Sequence, residues 1–260
     1  MQRLLPKALL HRGQQQLLSL FLAGQCPLCQ RSTPHTFCPS CQRQVQQCQS
    51  TTATDFSQPG LTVLSWGHYE NSLRQAIGRL KYSGNTTIAQ YLGTELGQTW
   101  LDQRHRLGSP SRPIAIVPIP LHAAKLQQRG FNQAELLARW FCRLTQLPLH
   151  SRVLTRVQVT QAQHSLGRTA RQQNLAQAFA VDPDQVKAIK HQTVWLLDDI
   201  FTTGATAQSA AQTLRRGGLS VGGVCTVARA QAWATVPSPS AQPSLKPRRA
   251  SLPRLRRAPG

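Results

Sequence analysis

The amino-acid sequence predicts an α/β fold, a mainly parallel sheet flanked by helices with a small cysteine-rich module in front of it. Three observations carry this. Strand-type and helix-type segments alternate between residues 61 and 228, as a parallel sheet with helical crossovers requires. The run Val194, Trp195, Leu196 and Leu197 is apolar without polar alternation, as in a strand covered on both faces. Two C-x-x-C pairs, Cys26 with Cys29 and Cys38 with Cys41, precede the first sheet-like segment. With 260 residues and 40% hydrophobic content, the chain can build one domain of ordinary size and an appendage.

Residues 1–24 combine basic side chains with Leu17, Leu18, Leu20, Phe21 and Leu22. Gln14, Gln15 and Gln16 interrupt the patch and a cysteine cluster follows at once, so the segment reads as an amphipathic helix and not as a signal peptide. The first unit, helix plus cysteine module, spans 1–48, and a Ser/Thr/Gln linker covers 49–60. A strand over 61–66 opens the main domain, assigned to 61–235. Leu73, Ile77 and Leu80 share a helical face over 72–80, and Leu92, Leu96 and Trp100 do so over 87–100. Residues 108–113 read as a loop, and 114–117 as a short strand whose exit Pro118 and Pro120 fix. A helix follows over 132–144, then a weak strand at Val153 and Leu154 with Val157 at its margin. Residues 160–171 lack an apolar period and read as an exposed loop, and 172–179 as a short helical turn broken by Asp182 and Pro183. After the apolar strand come a helix from about Ala205 to Arg215, a stop at Gly217 and Gly218, and a strand over 221–228.

The formal net charge of +21 is high for a metabolic enzyme. Residues 236–260 hold Lys246, Arg248, Arg249, Arg254, Arg256 and Arg257 without an acid, the composition of a disordered basic tail. Such a tail either binds nucleic acid or anionic surfaces without sequence preference or is a solvated extension. The excess on the rest of the chain suits a polyanionic ligand, whose encounter rate a positive field raises. Seven cysteines without a secretory signal point to the reducing cytoplasm, and to metal or free thiols before disulfides. No apolar stretch approaches the ~20 residues of a membrane span.

Asp198 and Asp199 close the apolar strand, at the edge where parallel sheets gather their ligands. Carboxylates there can accept from vicinal sugar hydroxyls or position a hydrated magnesium ion. Thr202, Thr203, Gly204, Ala205 and Thr206 then lead into a helix, and their N–H groups, hydroxyls and helix dipole form a cradle for a sugar 5′-phosphate. A helix cap needs only one short polar residue and leaves the second acid unexplained. The four cysteines Cys26, Cys29, Cys38 and Cys41 are the donor set of a closed, structural zinc site, with redox dithiols as the alternative and His35 and Cys48 as substitute ligands. Cys142 and Cys225 read as small core residues. Lys125 and Arg129, with Gly130 and Asn132, either hold a pyrophosphate or belong to a solvated basic loop. Lys81 stands at a helix end ahead of Gly84, where capping electrostatics alone would put it. The segment from Arg156 through Thr160, Gln163, Leu166 and Arg171 to Asn174 is either a lid that excludes water or a plain loop.

The stretch from Val194 to Thr206 resembles the phosphoribosyl-pyrophosphate (PRPP) motif of type I phosphoribosyltransferases: apolar residues, two acids, two variable positions, then T-T-G-x-T. Over residues 20–230 the chain resembles the ComF family of competence-associated, phosphoribosyltransferase-like proteins. The shared features are C-P-x-C and C-x-x-C, Tyr69 with Leu73, Arg74, Lys81 and Tyr82, then P-I-P-L-H and R-G-F-N-Q-A-E-L-L-A, then R-x-x-x-T-x-x-Q with Phe179, and D-D-x-x-T-T-G-A-T. The family commonly has more basic residues where this chain has Ala123, Ala124, Gln127 and Gln128. The resemblance implies a type I phosphoribosyltransferase fold, with Lys81, Lys125 and Arg129 as phosphate contacts, magnesium accompanying PRPP, and residues 160–174 as a mobile loop. It further implies transfer of a phosphoribosyl group to a nitrogen acceptor with loss of pyrophosphate, linked to DNA uptake or nucleotide salvage. Asp198 and Asp199 would then hold the ribose hydroxyls and stabilise an oxocarbenium-like centre. The alternative is a non-enzymatic accessory of DNA uptake that senses PRPP or nucleotides and contacts single-stranded DNA or a helicase partner. Few aromatics interleave with the basic residues to stack bases, which counts against it. The acceptor and the oligomeric state are not legible in the sequence.

Overall fold

The computed structural model describes residues 24–55, 60–107, 111–157 and 178–230. The amphipathic segment at 1–23, the loop over 160–171, the helical turn up to residue 177 and the basic tail lie outside the described residues. In chain order the strands are β1 (Gly24–Gln25), β2 (Ser32–Thr33), β3 (Thr54–Asp55), β4 (Thr62–His68), β5 (Ile114–Pro118), β6 (Leu154–Arg156), β7 (Phe179–Val181), β8 (Thr193–Phe201) and β9 (Ser220–Arg229). The helices are α1 (Pro39–Gln46), α2 (Asn71–Tyr82), α3 (Thr86–Gln103), α4 (Ala123–Arg129), α5 (Gln133–Thr145), α6 (Pro183–Ile189) and α7 (Ala205–Arg216). The main sheet has the order β3-β4-β9-β8-β5. Its strands β4, β9, β8 and β5 run parallel and β3 antiparallel at one edge, the mainly parallel α/β architecture expected from the sequence.

The unbroken apolar run in β8 has its explanation in two separate cores. Val194 and Leu196 join one apolar cluster and Trp195 and Leu197 the other, all buried, because successive side chains of a strand point to opposite faces. On one side α2, α3 and α5 pack through Leu73, Ile77, Leu80, Leu92, Leu96 and Phe141. On the other lie α6, α7 and the β6–β7 hairpin, through Val186, Ile189, Ala210, Leu214, Leu154 and Phe179. Trp195 stands edge-on to Trp100 at 4.7 Å, and its ring lies so close to β9 that a Cβ at Gly222 or Gly223 would come within 2.7 Å or 2.5 Å of it. The cysteine module shares the first core: Cys26, Phe37, Cys38, Cys41 and Val45 cluster with Trp66 and Leu73, and Phe37 meets Tyr91 edge-on at 5.2 Å.

Three expectations need correction. Residues 123–129, to which the sequence reading assigns no regular element, form the helix α4, capped by the His122 side chain and ended by Gly130 at φ 78°. Asp182 and Pro183 begin a helix instead of breaking one: the Asp182 carboxylate accepts from the N–H groups of Asp184 and Gln185, and proline occupies the first turn, where its missing N–H costs nothing. The expected turn over 172–179 does not include Phe179, which opens β7 opposite Arg156 in a separate two-stranded sheet.

Candidate functional site

All four parallel strands end at one edge, at His68, Arg229, Phe201 and Pro118. Asp198 and Asp199 lie just short of that edge in β8, and the pleat sends them to opposite sides. Asp198 lines a recess of about 20 Å³ with Thr202, Gly204, Thr206 and Thr226, on the α7 side. Asp199, only 4% exposed, forms an ion pair with Lys81 of α2, Nζ to Oδ2 at 2.7 Å, on the opposite side. Helix α2 leaves β4 next to His68 and by Lys81 has reached β8, so it crosses that edge of the sheet and delivers its last basic residue there. Lys81 is therefore held at the acidic end of β8 as well as being a helix-terminal cation.

Burial, reinforced by the neighbouring Asp199 charge, holds the Asp198 carboxyl well above the usual aspartate range, and the backbone N–H of Asp199 and the Lys81 ammonium only partly offset this. In the window between the ordinary value of about 4 and this raised one, the folded chain binds more protons than the unfolded chain. Stability from this group thus falls as pH rises through the window and stays lower above it. Asp198→Asn is expected to melt at a higher temperature than wild type at pH 7–8, with the difference fading below about pH 4, in thermal unfolding measured across that range.

The turn after β8 is built around Gly204, at φ 77° and serving as N-cap of α7. A Cβ there would sit 2.5 Å from Cζ of Phe201, whose ring underlies the turn. Glycine offers no capping side chain, and the Thr203 hydroxyl reaches the Ala205 N–H only at 3.4 Å, so the first turn of α7 presents N–H groups toward the exposed Thr202 and Thr203. Gly204→Ala must carry both the left-handed backbone and the clash, at a cost of about 1–3 kcal/mol, read as a lowered midpoint in denaturant unfolding.

The remaining basic candidates surround this edge. Arg129 stacks on Tyr82, the residue after Lys81, at 5.5 Å, and donates to Gln133 at 2.6 Å. Lys125 is exposed one helical turn earlier on α4. Asn132 caps α5 and also donates to the Ile119 carbonyl, while the Ile119 N–H donates to Leu197, which ties the exit of β5 to that of β8. In the sequence Arg156 opens the segment that reads as either a lid or a plain loop. Its strand bridges to His122, its guanidinium stacks on Phe179, burial lowers its pKa, and the Asp198 charge acts in the opposite sense. It is a further cation at this edge, and the R-x-x-x-T spacing is its only trace in the sequence.

In the N-terminal module the sulfurs of Cys26, Cys29, Cys38 and Cys41 all lie within 4.8 Å of one another, with Cys29 and Cys38 at 3.5 Å. Tetrahedral zinc–thiolate bonds of about 2.3 Å place sulfurs about 3.8 Å apart, so the arrangement fits a structural zinc. Burial raises the Cys26 thiol, but backbone N–H groups of Cys38, Cys29 and Leu28 outweigh it and bring it down to about 6. Hydrogen bonding led by the Cys41 N–H lowers Cys38 too, whereas burial among three sulfurs raises Cys41. Among the described residues, no helix is long and apolar enough to cross a membrane.

No protein-family model matches the chain. Competence protein F of Haemophilus influenzae is 30% identical over 212 residues, which cover 80% of this chain and 91% of that protein. The DNA utilization protein YhgH of Escherichia coli is 30% identical over 199 residues, 75% of this chain and 86% of its own length. Competence protein ComFC of Bacillus subtilis is 25% identical over 190 residues, 73% and 70% of the two chains. Among solved structures, a glutamine PRPP amidotransferase from Bacillus subtilis, complexed with ADP and GMP, is similar at a TM-score of 0.32 and 14% identity, over 53% of this chain and 25% of that one. Through relatives that match it along most of their length, with the cysteine module and the acidic strand end both in place, the chain belongs to the ComF family.

Proposed function

We propose that the chain binds PRPP together with magnesium at the carboxyl end of β8 and transfers the phosphoribosyl group to a nitrogen acceptor. The observation that carries this reading is the sequence of strand, two acids, glycine-capped turn and helix, with cations set around it. The Thr202 to Thr206 turn and the first turn of α7 would hold the 5′-phosphate. Asp198 and Asp199 would accept from the ribose hydroxyls and face the positive charge that develops at C1. Magnesium would arrive with the pyrophosphate, for which carboxylate and hydroxyl oxygens are suitable partners. Lys81, Arg129 and Lys125 would offset charge as the C1–O bond to pyrophosphate breaks and the acceptor nitrogen bonds to C1 and gives up a proton. Cysteine usage favours the cytoplasm as the setting. The test of the catalytic half is pyrophosphate release from PRPP across nucleobases and ammonia, and the absence of release with every acceptor would leave binding without transfer.

The printed names of the relatives, competence and DNA utilization, favour a second reading in which the site senses PRPP or nucleotides for DNA uptake while the cysteine module and basic tail contact single-stranded DNA. Deleting residues 236–260 is its test. An unchanged nucleic-acid affinity and salt slope would remove the tail from it.

A further inference from the structure

We infer that a pocket of about 380 Å³ on the far side of β9 from Asp198 is the acceptor site, and that it takes a neutral nitrogen heterocycle of the nucleobase class. This rests on the reading that PRPP occupies the β8 turn. The pocket is framed by the β3–β4 hairpin and the end of β9, and its volume falls in the ~300–1,000 Å³ range of small-molecule sites.

Two contacts join it to the proposed PRPP turn. Arg229 is in register with Phe201 of β8 and His68 of β4, and its guanidinium lies 6.0 Å from the centre of the Phe201 ring. The same ring lies against Gly204, so the Arg229 guanidinium and the Phe201 ring together link this pocket to the phosphate turn. On the sheet, Ser65 lines the pocket and Thr226 lines the recess at Asp198, and their hydroxyls are hydrogen-bonded at 2.9 Å with both residues buried. A ligand in the pocket would thus share a hydroxyl wall with the sugar site.

The lining decides the ligand class. Asp55 and Arg229 form an ion pair at 2.5 Å, with side chains 20% and 25% exposed, so the pocket's principal charges cancel. An anionic acceptor gains little from a guanidinium already neutralised, and ammonia leaves most of the volume empty. A heterocycle that carries an N–H donor beside a ring nitrogen or carbonyl acceptor matches both partners: the N–H donates to Asp55 and the acceptor receives from Arg229. The hydroxyls of Ser50 and Thr52 add adaptable partners at the rim. In the transfer, the acceptor's ring nitrogen would bond to C1 as pyrophosphate leaves with the C1–O electron pair, and the N–H proton would pass to the Asp55 carboxylate.

The experiment uses the full chain and two separate readouts. Saturation-transfer NMR measures binding of adenine, guanine, hypoxanthine, cytosine, uracil and the anionic orotate, with and without PRPP and magnesium, and calorimetry measures PRPP. At least one neutral base is expected to bind more tightly than orotate. Asp55→Asn is expected to weaken that base tenfold or more and to leave PRPP affinity within twofold. Thr51→Trp, at an exposed position on the rim, should block the base without touching the ion pair, and it decides the matter if the Asp55 variant fails to fold. A chain that binds PRPP but no base, or base binding indifferent to both substitutions, overturns the inference. Absence of PRPP binding alone would sink the underlying reading, and base binding that still depends on Asp55 would keep the pocket.

Discussion

Asparagine in place of Asp199 is expected to weaken PRPP binding at least a hundredfold, about 2.7 kcal/mol. The expectation follows from three observations together. The residue is only 4% exposed, it lies one position from the half-buried Asp198, and its carboxylate is held by Lys81 at 2.7 Å. A buried carboxylate that accepts from hydroxyls makes charge-assisted hydrogen bonds worth about 1.5–3 kcal/mol each, and an amide of the same shape keeps the geometry but not the charge. Asparagine also offers an N–H₂ where two acceptors are needed. The substitution leaves Lys81 without its counter-charge, yet the lysine retains access to water through its 20% exposed side chain. Loss of ligand binding in a chain that still unfolds cooperatively is the outcome to look for, by calorimetry and thermal melting of the same sample.

Loss of zinc from the cysteine module is expected to have the largest effect on stability. The four sulfurs are not on a detached knuckle, because Cys26, Cys38 and Cys41 are buried in the same cluster as Phe37, Trp66 and Leu73. Without a metal, thiolates lowered by their N–H partners would face one another in that core, so chelation destabilises both the module and the α2 side of the sheet. A cost of about 3–5 kcal/mol would lower the melting temperature of a domain this size by roughly 10–15 °C. Metal analysis should find about one zinc per chain. Cys41→Ser should lose the metal and most of that stability, and an unchanged melting temperature after complete chelation would refute a structural role.

The parts of this molecule that were legible in the sequence are those that local chemistry determines. β8 could be read because a strand covered on both faces cannot hide its composition, and the two acids and Gly204 stand immediately after its apolar run. The helices with a buried stripe, α2, α3 and α5, were placed to within a few residues for the same reason. α4 was not, since none of its residues is buried and no apolar period exists to find; only the Gly130 stop and its helix-favouring residues hinted at it. The start of α6 was misread because Asp182 and Pro183 carry the same letters whether a helix ends before them or begins with them.

The site residues divide along the same line. Asp198, Asp199 and the turn follow one another in the chain, whereas Lys81, Arg156 and the Asp55–Arg229 pair reach the edge from elements far apart in sequence. Lys81 was read from its surroundings as a cap, and its partner is visible only once α2 is seen to cross the sheet. Long-range ion pairs of this kind leave no periodic trace, so only a family resemblance or a structure can find them.

The most direct test of the central proposal is a titration of PRPP into the full-length wild-type chain with and without magnesium, followed by calorimetry. Saturable binding at one site per chain, strengthened by magnesium and lost in Asp199→Asn, is the expected result. No binding at millimolar PRPP by a folded, zinc-loaded chain would contradict it.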